Sequence, residues 1–216
     1  MTAETQPRRL RADAARNRRL LLDTAAATFA EYGTEVSIAE IARRAGLGKG
    51  TVFRHFANKD ELIAAIVCDQ LDRLSAAGTA LLDAVDPTSA LLEFMTLGVE
   101  VQSRDRSVCE AGVSIGVGDP GIQAATDRLF GTAEALTERA RRQGGIRDDV
   151  TGQDVILLLR GAYQAAAPLA RTVPELWRRY LAVIADGLLS TTAAPLPRPA
   201  STRPRPTDRN DGMPHG

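Results

Sequence analysis

Lysine and histidine are almost missing from this chain. Two of each occur in 216 residues: Lys49 and Lys59, His55 and His215. One of those histidines lies in a proline-rich terminal stretch, which leaves little for acid–base catalysis or metal ligation. Cysteine is as scarce, and Cys68 and Cys109 sit in apolar, helix-like surroundings without a partner at ligand spacing. They read as small buried hydrophobes in a reducing compartment. No apolar run approaches the roughly 18 residues of a membrane span. The opening residues, Met1 to Gln6, are polar and lead into arginines, so a soluble, cytoplasmic protein without a membrane partner is expected. No nucleophile elbow, phosphate-binding loop or strand-flanked glycine fingerprint occurs, and the glycines at 46, 48 and 50 follow a helical pattern rather than a strand. The chain is expected to be no enzyme and to need no cofactor and no metal.

Net charge is zero, which argues against nucleic acid until the chain is divided. The first 60 residues carry 11 Lys and Arg against 7 Asp and Glu, a net of +4, and the remainder 16 against 20, a net of −4. A basic segment of this kind is the footprint of phosphate binding, although a solvated basic face would look the same.

Apolar spacing is helical throughout, without period-two alternation or internal repeat, and an all-α fold follows. Residues 1–15 read as a basic flexible arm. From about Arg16, the residues Leu21, Leu22, Ala25, Ala26, Phe29 and Ala30 recur at three- and four-residue spacing, and Gly33 closes the helix. Ser37 caps the next helix, with Glu40 as reciprocal partner in a capping box, and Gly46 ends it. A short helix from about Lys49 to His55 follows, then a longer one capped by Asn58. Residues 16–60 form one expected domain and 61–190 a second, with helices near 88–105, 107–116, 121–143, 152–169 and 174–190. The last segment, 191–216, holds six of the eleven prolines and reads as a disordered tail.

Between Ser37 and Leu62, two short helices meet at Gly46-Leu47, where glycine accepts a positive φ and the leucine plugs the angle. This is helix-turn-helix geometry. The second helix presents Lys49, Gly50, Thr51, Arg54 and His55, while Val52 and Phe56 turn inward.

This stretch, with Leu21 to Gly33 before it, resembles the DNA-binding domain of the tetracycline-repressor family over about Ala14 to Arg73. The features are a glycine-ended helix, an Ile-Ala-x-x-Ala-Gly turn, a Gly-Thr-x-aromatic-x-His-Phe helix and a following Lys-Asp-Glu-Leu start, in that order. The resemblance implies that Lys49, Gly50, Thr51, Phe53, Arg54 and His55 meet double-stranded DNA. It also implies that Lys59 clamps a phosphate and that Ser37 faces the DNA backbone. Where the family usually has Tyr, this chain has Phe53, so a hydroxyl-to-phosphate bond is absent. Of Arg43 and Arg44, one reads as solvent-facing and the other as near a phosphate, in either order. The basic residues from Arg8 to Arg19 reach the adjacent minor groove or stay solvated.

A single recognition helix reads only a few base pairs, so a homodimer is expected. By resemblance, two C-terminal helices from each copy form a four-helix bundle, here with Leu176, Trp177, Tyr180, Leu181, Ile184 and Leu188 along the stripe. Pro174 fits the first turn of the last helix. Phe94, Leu97, Val101, Val113, Phe130, Leu157 and Tyr163 are the candidates for a cavity taking an unknown small-molecule effector, with Glu100, Arg104 and Arg160 as polar anchors. The implied function is a ligand-responsive transcriptional repressor on a near-palindromic operator. The competing reading is a helical module that binds protein instead of DNA.

Overall fold

The computed structural model describes residues 5–104, 115, 118–170, 172–189, 192 and 194–200, and the described residues are helical with no strand. In chain order the helices are α1 (Thr5–Tyr32), α2 (Ile38–Arg44), α3 (Lys49–His55), α4 (Lys59–Leu81), α5 (Pro87–Arg104), α6 (Pro120–Arg142), α7 (Gly152–Ala166) and α8 (Leu176–Leu189), with a 3-10 turn at Ala167–Leu169. The helix expected over 107–116 lies, apart from Ile115, outside the described residues. One compact unit is built on the chain up to Ala77 together with Leu97–Leu129, the other on Gly78–Thr96 together with the chain from Phe130. The division falls within α4 rather than at residue 60.

In the first unit the apolar stripe of α1, Leu21, Leu22, Ala25 and Phe29, packs on Ile41 and Ala42 of α2, Val52 of α3, Phe56, and Leu62, Ile63 and Ile66 of α4. Leu21, Phe29, Ile41 and Leu62 are fully buried, each worth about 1.5–3 kcal/mol of transfer free energy. Thr28 of α1 is also buried, and its hydroxyl is satisfied by donating to the Thr24 carbonyl at 2.7 Å. The residues expected to form a flexible arm are a correction: from Thr5 onward they continue α1. Alanine, arginine and leucine supply the propensity there, and Pro7 falls in the first turn, where an amide without a helical partner is lost at no cost.

The turn between α2 and α3 follows from one glycine. Gly46 has φ of 66°, its N–H donates to the Arg43 carbonyl at 3.2 Å, and the Leu47 N–H donates to the Ala42 carbonyl at 2.9 Å. This is a Schellman closure, with Leu47 turned onto the core. Gly46→Ala forces a β-carbon into the left-handed region and is expected to cost about 1–2 kcal/mol. Gly50→Ala, on a helical residue with open space where the methyl would go, is expected to gain about 0.5–1 kcal/mol. Urea unfolding midpoints that moved in the same direction would contradict this contrast.

In the second unit Thr151 caps α7 through a complete capping box: its Oγ1 accepts from the Asp154 N–H at 3.3 Å, and Asp154 Oδ2 accepts from the Thr151 N–H at 2.9 Å. The Gly152 N–H donates to Glu134 Oε2 at 2.7 Å, so α7 starts in contact with α6. Trp177, Leu181 and Leu188 of α8 are buried, and α8 packs against α7. The start of α8 is a second correction. Glu175, with φ of 61°, interrupts the helix, which begins at Leu176 and leaves Pro174 outside it.

The proline-rich segment is a third correction, for residues 194–196. Asp149 Oδ2 accepts from the Leu196 N–H at 2.8 Å, and Arg147 Nη2 donates to the Ala194 carbonyl at 2.9 Å. Leu196 lies between Pro195 and Pro197, which have no N–H to offer. Arg147 also binds Asp149, holding that carboxyl well below the usual carboxylate range, with the Leu196 amide adding to the effect. Residues 201–216 lie outside the described residues.

Candidate nucleic-acid interface

Alternation along α3 sorts its side chains. Val52 is fully buried, and Phe56 just after the helix is 4 % exposed, so both anchor it to the core as expected. Lys49, Gly50, Phe53 and Arg54 are exposed, and Thr51 and His55 are half-buried beside them. The Lys49 ammonium lies 5.8 Å from the centre of the Phe53 ring, one helical turn away. The His55 ring packs at a tilt against Phe56, 6.4 Å between centres. Gly50 has nothing within 4 Å of where a β-carbon would stand, so the backbone there is bare.

The flanking residues carry the charge arrangement. Ser37 is exposed and caps α2 by accepting from the Glu40 N–H at 3.2 Å, which leaves its own O–H free to donate. Glu40 does not return the bond expected of a capping box. Its carboxylate instead takes Arg43 through Nε and Nη2 at 2.8 and 2.6 Å, and Arg44 through Nε at 2.8 Å. Two charge-assisted contacts at helical spacing outcompete one backbone amide. These arginines, Arg43 first, bring the Glu40 carboxyl down to about 2. Arg44 also stacks over Tyr32, 4.4 Å from the ring centre. Both arginines are engaged by Glu40, and the Arg43 side chain stays 71 % exposed against 31 % for Arg44. Lys49 and Arg54, in contrast, form no ion pair among the described residues.

Lys59 is half-buried at the start of α4, where its ammonium donates to the Thr34 carbonyl at 2.6 Å and ties the loop before α2 to α4. Asn58 caps α4 by accepting from the Glu61 N–H at 2.8 Å. Further along, Arg19 of α1 binds Asp69 of α4 at 2.7 Å, and Arg73 of α4 binds Asp23 of α1 at 3.1 Å. Arg128 of α6 binds Asp72 of α4 at 2.6 Å. Sequence reading missed this brace, although the i, i+4 pairs Arg19–Asp23 and Asp69–Arg73 are visible in it.

Residues 21–66 match the model of the TetR family of bacterial regulatory proteins, and residues 86–190 match the C-terminal domain of SbtR-like transcriptional regulators. A crystal structure of a TetR transcription regulatory protein from Mycobacterium vanbaalenii is 37 % identical, covering 83 % of this chain and 99 % of that one, with a TM-score of 0.64. The chain belongs to the TetR family. Among curated proteins it is similar to an HTH-type transcriptional repressor of Mycobacterium tuberculosis, 27 % identical over 83 % of this chain and 84 % of that protein. It is also similar to the A-factor receptor protein of Streptomyces griseus, 29 % identical over 77 % of this chain and 63 % of that protein. The chain is therefore a DNA-binding transcriptional regulator in kind. No group of residues that could hold a metal ion occurs among the described residues, and no described helix is long and apolar enough to cross a membrane.

The remaining residues expected to have roles in this TetR-family chain separate by burial. Phe94 is fully buried, with its ring packed where a β-carbon on Gly78 would stand, and Tyr163 is 5 % exposed. Leu97, Val101 and Phe130 are half-buried, and Val113 lies outside the described residues. Leu157 is a correction: at 50 % exposure on α7 it cannot line an enclosed cavity. Arg104 and Arg160 are exposed too. On α8 the expected interface stripe splits. Trp177, Leu181 and Leu188 are buried within their own chain, which corrects their assignment, whereas Tyr180 is exposed and Leu176 and Ile184 are half-buried. Val183, absent from the expected stripe, is 64 % exposed.

Proposed function

We infer that this TetR-family protein is a homodimeric, effector-responsive repressor that places one α3 helix in each half of a near-palindromic operator. The observation that carries the reading is the outer face of α3, where Lys49 and Arg54 form no ion pair among the described residues and keep their charge for a partner, while neighbouring Arg43 and Arg44 share the Glu40 carboxylate and Arg44 also pairs with Glu31 at 3.8 Å. Ser37 and Lys59 flank that face as phosphate contacts, and Thr51 and His55 sit at its edge. A dimer is supported by two uncovered apolar stripes: Leu157, Gly161 and Ala165 on α7, and Tyr180, Val183 and Gly187 on α8. Adding β-carbons at Gly161 and Gly187 would meet nothing within 4 Å, so another helix can approach closely there. Two copies of this face make a four-helix bundle and set the recognition helices roughly 34–36 Å apart, one turn of DNA.

The A-factor receptor among the relatives is by its name a receptor. By analogy the second unit of this chain takes a small-molecule effector among its apolar residues, near Phe94 and Tyr163. Such a ligand releases the operator only by binding the DNA-incompetent state more tightly.

Point substitutions test the DNA reading. Lys59→Ala is expected to weaken binding equally on operator and random duplex and to lower the salt dependence by about one counterion. Lys49→Ala and Thr51→Ala are expected to change which operators are preferred. Equal losses on every duplex for all three variants, followed by fluorescence anisotropy, would defeat the base-reading roles.

A further inference from the structure

Phe53 does not serve the core. Val52 and Phe56 on either side are buried, while Phe53 leaves 44 % of its surface exposed on the face that carries Lys49 and Arg54. Its ring has no donor or acceptor, so it cannot bond a phosphate or a polar base edge. Gly50, one turn earlier, adds no side chain that would hold the ring away from a groove floor. The Lys49 ammonium, 5.8 Å from the ring centre, makes lysine and ring one surface that is cationic at one end and apolar at the other. In the major groove the one apolar group that marks base identity is the C5-methyl of thymine.

We propose that Phe53 is a specificity-determining residue that reads a thymine methyl in each half-site. Four residues of helix span about 6 Å, which puts that thymine about two base steps from the base met by Lys49. The inference rests on the DNA-binding reading above and adds an apolar contact to it.

The test uses the full-length protein and the duplex it protects in footprinting, with each thymine replaced in turn, symmetrically in both half-sites, by deoxyuridine. Loss of a buried methyl is expected to weaken wild-type binding about fourfold per half-site, or about fifteenfold for the pair, at one position only. Phe53→Ala is expected to bind the two duplexes equally at that position, and Phe53→Tyr, which keeps the ring, to retain the difference. Unchanged circular dichroism would show that the exposed substitution leaves the fold intact. A wild-type protein that binds its operator but ignores every thymine methyl would overturn the proposal, and so would a Phe53→Ala variant that keeps the wild-type difference. A protein without affinity for any duplex would overturn the DNA-binding reading and this inference with it.

Discussion

Val183→Asp is expected to convert the proposed dimer into folded monomers and to weaken operator binding at least about a hundredfold. Position 183 is 64 % exposed in the single chain, so aspartate there meets water and costs the monomer little. Buried in the proposed bundle, the same carboxylate would be desolvated and unpaired. A monomer then holds one half-site alone and loses the high effective concentration of the second reading head, commonly worth about 10²–10⁴ in affinity. Sedimentation velocity reads the first consequence, anisotropy on the operator the second. Leu181→Asp provides the contrast: Leu181 is only 7 % exposed, so the carboxylate would enter the core of its own chain and is expected to unfold the unit. A Val183→Asp protein that remained dimeric would move the interface elsewhere.

A large loss of stability is also expected at Gly152. A β-carbon there would stand 2.3 Å from the Glu134 nitrogen, 2.5 Å from its Cα and 2.7 Å from the Ala133 carbonyl carbon, all of them backbone atoms of α6. No rotamer change relieves such contacts, so α6 and α7 must part or the turn before α7 must unwind. Gly152→Val is expected to cost about 3 kcal/mol or more, beyond the usual range for overpacking, because the Gly152 amide bond to Glu134 goes with it. Gly131→Ala is the control: on an exposed position of α6 with open space it is expected to be neutral or stabilising by up to about 1 kcal/mol. Urea unfolding at fixed protein concentration measures both. Equal midpoints for Gly152→Val and wild type would contradict the close approach of the two helices.

The reading head was legible because its signals are local. Gly46 and Leu47 specify a turn by backbone chemistry alone, and the spacing of Leu21, Leu22, Ala25 and Phe29 specifies a buried stripe. What periodicity cannot say is whose atoms cover a stripe. Trp177, Leu181 and Leu188 share a helix with Tyr180 and Val183, and only packing on α7 separates the side covered by the same chain from the side left open. Leu157 was open to the same confusion, reading as pocket when it is surface. Residues 5–15 lack a stripe, yet propensity carries α1 through them. At Glu40 two local motifs overlap, and the arginines at i+3 and i+4 win over the cap because charge-assisted pairs are the stronger bonds.

The most direct test of a dimer that reads DNA through α3 is footprinting of the purified protein on the DNA flanking its own gene, at low salt and at physiological salt. Two protected half-sites are expected, related by near-palindromic symmetry and centred about one helical turn apart. A protein that protects no duplex even at low salt would contradict it.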